Sequence, residues 1–174
     1  MTEYNQNVWA PWRMEYIAGL EEQAGKGGCF LCAYRDAAED DGKNHVVWRS
    51  PRTLTMLNRF PYTNGHLLIA PTLHCGDPEE LPEDVLIELT LRIRDAKRVL
   101  QRVVNAEGFN IGANLGRCAG AGLPDHFHWH LVPRWAGDTN FMAVTGGVRV
   151  IPQALEVVDS KFREVAAELG LPRQ

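Results

Sequence analysis

After Pro82, apolar residues recur at spacings of three and four: Leu86, Leu89, Ile93, Ala96, Leu100 and Val103. One apolar stripe of this kind predicts an amphipathic helix. Glu83 and Asp84 fall in its first turn, where carboxylates complement the helix dipole, and Gly108 is the expected stop. A second stripe, Leu155, Val158, Phe162, Val165 and Leu169, predicts a helix over residues 153–169. Elsewhere the pattern shortens to strand length. Residues 45–49 and 53–58 are apolar or β-branched runs, joined by the turn former Ser50-Pro51-Arg52. A second turn at residues 61–65 leads into a strand over 66–70 that Pro71 ends, and residues 109–115 and 127–132 read as two more strands. The acidic stretch 36–41 reads as a solvated loop. Strands, helix, strands, helix, with tight turns between most neighbours, predict an α+β domain: an antiparallel sheet of about five strands carrying two main helices.

Before this pattern begins, residues 1–28 form a separate arm. It is polar at first, then dense in Trp9, Pro11, Trp12, Met14, Tyr16 and Ile17, and it closes on the hinge Gly25-Lys26-Gly27-Gly28. Apolar surface this concentrated is expected to dock on its own domain or on a partner subunit. Residues 29–174 then form one domain, a size that can bury a core without cross-links.

Composition narrows the function class. Of 174 residues, 45% are hydrophobic and 23% charged, with a formal net charge of −4. Such a balance gives no footing for nucleic acid or for an acidic membrane surface, although one nucleotide-sized anion needs only local dipoles. The chain has neither a signal-peptide pattern nor an apolar run near the roughly 18 residues that span a bilayer, so the expected location is the cytoplasm. The four cysteines are a close pair, Cys29 and Cys32, with distant Cys75 and Cys118. That spacing suits a metal site or plain thiols better than a disulfide framework.

The chemistry concentrates in His126-Phe127-His128-Trp129-His130-Leu131. Strand residues alternate faces, so the three imidazoles are expected on one side and Phe127, Trp129 and Leu131 on the buried side. Two chemistries fit such a row: a zinc ion held by His-x-His, or a nucleophile flanked by acid, base and electrostatic partners. Just upstream, the small residues around Gly116, Gly120, Ala121 and Gly122 allow backbone amides to approach an anion, as phosphate nests do.

These residues carry a family resemblance. Residues 126–132 match the His-φ-His-φ-His-φ-φ signature of the histidine-triad superfamily at every position. Leu57-Asn58-Arg59 with Gly65-His66-Leu67 resembles the family's ribose-binding hairpin. Val132-Pro133-Arg134 with Ala136-Gly137-Asp138 resembles its fragile-histidine-triad branch. The opening Trp9-Ala10-Pro11-Trp12 and the later Asp138-Thr139-Asn140-Phe141 are similar to bacterial members related to diadenosine tetraphosphate phosphorylases and hydrolases.

The resemblance implies that His128 is a nucleophile that takes up a nucleotide from a dinucleoside polyphosphate. It implies that His130 contacts the α-phosphate or the leaving oxygen, and that Asn58 binds ribose. Nucleotide contacts fall to Asn114 and the backbone of Gly120, Ala121 and Gly122. One structural zinc per chain, held by Cys29, Cys32, His74 and His126, and a homodimer are further implications. The chain departs from the pattern in lacking a glutamine just before the first histidine. It also has His130 where the sugar-phosphate nucleotidyltransferases carry glutamine, which argues against a hexose phosphate. His66 is expected as a buried donor behind the site, and His45 as an exposed strand end. Nucleoside phosphoramidase activity, a zinc hydrolase with its metal on the triad, and a non-catalytic zinc-stabilised nucleotide-binding module are the competing readings.

Overall fold

The structure, a computed structural model, describes residues 28–138 and 150–172. The aromatic arm, most of its glycine hinge and residues 139–149 therefore lie outside the described residues. Five strands, β1 (Val46–Arg49), β2 (Thr53–Leu57), β3 (Leu67–Pro71), β4 (Gly108–Gly112) and β5 (Trp129–Arg134), form one antiparallel sheet in the order β1-β2-β3-β5-β4. Three helices accompany it: α1 (Phe30–Asp36), α2 (Glu83–Val103) and α3 (Leu155–Glu168).

The helical stripes pack as their spacing requires. Leu89, Ala96 and Leu100 of α2 and Val158 and Phe162 of α3 are buried against Leu57, Leu67, Ile69 and Leu131 of the sheet. Phe162 is fully buried and sits 5.0 Å from the Trp48 ring, a contact that ties α3 to β1. Burying one such side chain contributes about 1.5–3 kcal/mol.

The opposite face of the sheet is used in two halves. The register aligns Val46, Met56, Leu68, His130 and Gly112 in one row across the five strands. Val46, Met56 and Leu68, with Leu54 and Ala70, are capped by Leu31, Phe30 and Tyr34 of α1 and by Leu123. No helix covers the β5–β4 half of that row among the described residues, and the site occupies it. No helix among the described residues is long and apolar enough to cross a membrane.

Several expectations are corrected. Beside the two expected helices stands a third, short one, α1, because Leu31 has an apolar half-sheet to cover. The acidic stretch is a helix end followed by a 3-10 turn, and Asp41 is tied to Arg49, whose guanidinium also caps α1 through the carbonyls of Tyr34 and Arg35. Helix α2 ends at Val103, not Gly108, because Asn105 takes a left-handed φ of 50°. Strand β5 starts at Trp129 and β4 ends at Gly112, so His126 and His128 lie in extended chain just before pairing begins. His45 is buried, also at positive φ, with Nδ1 3.5 Å from Asp159. It is not an exposed strand end.

Candidate active site and metal centre

The alternation read from the sequence survives the shorter strand. Phe127 and Leu131 are buried in the helix-side core and Trp129 packs against it, so the three histidines turn the other way. Each then meets a different environment.

His126 is 1% exposed. Its Nε2 lies 2.9 Å from the Pro71 carbonyl, which can only accept, so the ring proton sits on Nε2 and Nδ1 keeps its lone pair. That Nδ1 stands 3.1 Å from Cys29 Sγ, 3.6 Å from Cys32 Sγ and 3.3 Å from His74 Nδ1, while Cys32 Sγ is 3.3 Å from His74 Nδ1. The four donor atoms all lie within 4.8 Å of one another. A tetrahedral zinc, with Zn–N bonds of about 2.05 Å and Zn–S bonds of about 2.3 Å, sets nitrogen pairs about 3.3 Å apart and nitrogen–sulfur pairs about 3.5 Å apart. The observed edges match that tetrahedron, and a Cys2His2 donor set is the chemistry zinc takes.

Burial pushes the Cys29 thiol up to about 11 and the His126 imidazole down to about 4. The imidazole thus stays neutral with its lone pair available to a cation, whereas the thiol has to give up its proton when a metal binds. Cys75 stays outside the cluster, its thiol donating to the Asp77 carbonyl. The loop carrying His74 is held against the turn before His126 by the Phe127 N–H, which donates to the Cys75 carbonyl at 2.6 Å. Gly76 permits this approach: a Cβ there would stand 2.6 Å from the Pro124 carbonyl oxygen.

Among the described residues, the metal-capable cluster takes His126 of the row, and His128 and His130 stand apart from it. His128 is 9% exposed, and its Nδ1–H donates to the backbone carbonyl of His126 at 2.9 Å. Nε2 is left with a free lone pair. Burial lowers its pKa below the ordinary imidazole value, so the ring is neutral at neutral pH.

His130 is set the other way round. Its Nδ1 lies 3.0 Å from His66 Nε2, and His66 Nδ1 accepts from the Tyr62 backbone N–H at 3.1 Å. A backbone amide can only donate. The His66 proton therefore sits on Nε2, points at His130 Nδ1, and forces the His130 proton onto its Nε2. The two triad rings, 5.0 Å apart, thus present opposite chemistry: a lone pair on His128 and an N–H on His130. Burial, with a smaller contribution from His128, holds His130 down to about 4, so it acts as a neutral donor.

Asn58 enters through the same relay. Its Nδ2 lies 3.2 Å from His66 Nδ1 and its Oδ1 accepts the Phe60 N–H, leaving one N–H and one lone pair for a ligand. The Tyr62 ring stacks on His66 at 4.7 Å and reaches His130 at 5.9 Å. Sequence reasoning identified His66 as a buried donor but missed Tyr62, whose contribution is a main-chain amide that no side-chain pattern announces.

His130 lines a cavity of about 1070 Å³, together with Asn110, Gly112 and Asn114. Asn58, His128, Gly120, Ala121 and Gly122 are not among its lining residues. The small-residue loop holds a 3-10 turn over Arg117–Ala119, flanked by Gly116 and Gly120 at positive φ. The Gly120 and Ala121 amides already donate to the carbonyls of Arg117 and Gly116, so cradling a phosphate with them requires the turn to reopen.

A five-stranded antiparallel sheet with a histidine row on its open face, ordered by backbone carbonyls, defines a class. Residues 39–137 match the HIT domain, and the chain belongs to that family. It is 36% identical over 153 residues, covering 86% of this chain and 78% of the other, to a protein of Mycobacterium tuberculosis named AP-4-A phosphorylase. Over 95 residues, 55% of this chain and 52% of the other, it is 30% identical to the asymmetrical bis(5'-nucleosyl)-tetraphosphatase of Schizosaccharomyces pombe. A zinc-bound histidine triad family protein from Mycobacterium smegmatis superposes with a TM-score of 0.68 at 26% identity, covering 82% of this chain and 96% of that one.

The opposed protonation of the two rings can be read directly. Long-range ¹H–¹⁵N spectra at neutral pH are expected to show His128 as the Nδ1–H tautomer and His130 as the Nε2–H tautomer. A shared tautomer would break the relay from Tyr62.

Proposed function

We propose that this protein is an enzyme that cleaves dinucleoside polyphosphates through a nucleotide carried on His128. The observation that carries the reading is the bare Nε2 of a neutral, buried imidazole whose other nitrogen is held by the His126 carbonyl. In the first step this Nε2 bonds to the α-phosphorus, and the bond from phosphorus to the bridging oxygen breaks. The electron pair leaves on the departing nucleoside polyphosphate.

As the His128 ring becomes cationic, its Nδ1–H bond to the His126 carbonyl strengthens, so the orienting contact also stabilises the transition state. The departing group is a stable anion near neutral pH and needs only a hydrogen bond, which the neutral His130 Nε2–H provides. Water or inorganic phosphate then attacks the same phosphorus and releases its proton to solvent, the P–N bond breaks with its electron pair returning to Nε2, and His128 regains its neutral form. Asn58 offers an N–H and a lone pair to ribose hydroxyls. Relatives named as a phosphorylase and as a tetraphosphatase support the substrate class. Phosphoramidate cleavage would share the first step, but a neutral His130 N–H suits an anionic leaving group better than an amine that must be protonated to depart.

His128→Ala is expected to lower turnover of diadenosine tetraphosphate at least about a thousandfold while nucleotide affinity stays within about tenfold. Product analysis of the wild type separates the second step: ADP and ATP with inorganic phosphate mark phosphorolysis, AMP and ATP without it mark hydrolysis. Turnover near the wild-type rate in the variant would remove His128 from the role of nucleophile.

Cys29, Cys32, His74 and His126 are proposed to hold one structural zinc per chain, which would pin the start of the catalytic segment through His126. Elemental analysis of protein purified without chelator should return one zinc per chain. Cys32→Ser should lose it, with a lower melting temperature and lower activity. Wild-type protein that neither contains nor takes up zinc would rule the site out.

A homodimer is also proposed. Strand β4 is an outer strand of the sheet with Ile111 46% exposed, a surface suited to pairing with a second copy. Light scattering at micromolar concentration would refute it by returning the monomer mass.

A further inference from the structure

The four donors proposed for zinc come from three separate stretches of chain. Cys29 and Cys32 sit at the start of α1, His74 in the loop after β3, and His126 just before β5. Ligands that a metal must first gather lose affinity to the entropy of ordering them, and contacts that join the stretches in advance remove that loss. Two such contacts run to the triad segment: His126 Nε2–H donates to the Pro71 carbonyl, and the Phe127 N–H donates to the Cys75 carbonyl. The third joint comes from α1. Arg35 Nη1 donates to the Thr72 carbonyl at 3.0 Å, while Nε and Nη2 pair with the two Asp36 oxygens at 2.7 and 2.8 Å. Donor atoms aside, the Arg35–Thr72 bond is the one hydrogen bond between α1 and residues 72–77 among the described residues.

A helix of seven residues is too short to hold its place alone. Leu31 packs it on the sheet, and Arg49 donates to the carbonyls of Tyr34 and Arg35 at its end. With α1 fixed in this way, the Arg35 side chain carries its position across to the loop. His74 is exposed and stands between two tethered carbonyls, Thr72 held from α1 and Cys75 held from Phe127. We propose that Arg35 is a positioning residue for the metal centre, holding the loop so that the His74 imidazole faces the thiols before a cation arrives. This rests on the reading of Cys29, Cys32, His74 and His126 as a zinc site. Asp36 is exposed, so its pair with Arg35 adds little stability; it occupies the outer edge of the guanidinium and leaves Nη1 to Thr72.

The test titrates the full-length, metal-free protein with zinc in competition with a chromogenic chelator. Arg35→Met keeps the aliphatic stem and removes the donor. Its zinc dissociation constant is expected to rise about tenfold, the scale at which contacts behind a ligand act. The Arg35 side chain is 36% exposed, so the metal-free melting temperature should stay within about 2 °C of the wild type. The double variant identifies the route. In His74→Ala, removing Arg35 as well should change zinc affinity by less than about twofold, because no ring remains to be presented. Unchanged affinity in Arg35→Met would overturn the assignment. A tenfold loss that persists in His74→Ala would also overturn it, since the guanidinium would then act on the thiols or on the fold at large. A matching fall in metal-free melting temperature would reduce Arg35 to a general fold contact and overturn it too. Wild-type protein that takes up no zinc removes the site and Arg35's role with it, whereas equal affinity in wild type and Arg35→Met removes that role alone.

Discussion

His126 makes three bonds in three directions, and the rest of the site is arranged around them. Its Nε2–H goes to Pro71 at the end of β3, its Nδ1 faces two thiols and a second imidazole, and its carbonyl holds the His128 ring. One residue thus joins sheet, donor cluster and nucleophile through contacts near 3 Å. Because the Pro71 bond decides which nitrogen is bare, the sheet itself sets the ligand face of the ring. A cation at that face would neutralise the repulsion between donors that burial otherwise leaves uncharged. Stability of the 28–36 segment and placement of the His128 ring then become parts of one structural problem.

The two halves of the open sheet face explain why a cluster and a cavity can coexist there. On the β1–β3 half, Val46, Leu54, Met56, Leu68 and Ala70 are apolar, and α1 covers them. On the β5–β4 half, the same row continues as His130 and Gly112, and the next as Val132 and Asn110. A glycine opposite His130 leaves open space beside the imidazole, since no atom lies within 4 Å of where its Cβ would be. Polarity and small size on one half, bulk on the other, divide the face without an additional domain.

The fold was largely legible because both periodicities are strong. The α2 and α3 stripes are buried where their spacing places them, and the Ser50–Arg52 turn closes as a hairpin, with the Ser50 N–H donating to the Thr53 carbonyl. The triad and the four donor residues were legible from spacing and resemblance together. What escaped is tertiary. Helix α1 is short and takes its reason from an apolar half-sheet that lies distant in sequence. His45 is buried because α3 brings Asp159 to it, and no local pattern encodes that.

The opposed rings also bear on which reactions the site favours. A neutral N–H donor stabilises an anion that leaves on its own, but it is poorly matched to a leaving group that must be protonated before departure. His130, held neutral by burial and fixed by the Tyr62 relay, is therefore suited to phosphate leaving groups. An amine leaving group would need a protonated His130, which burial disfavours near neutral pH.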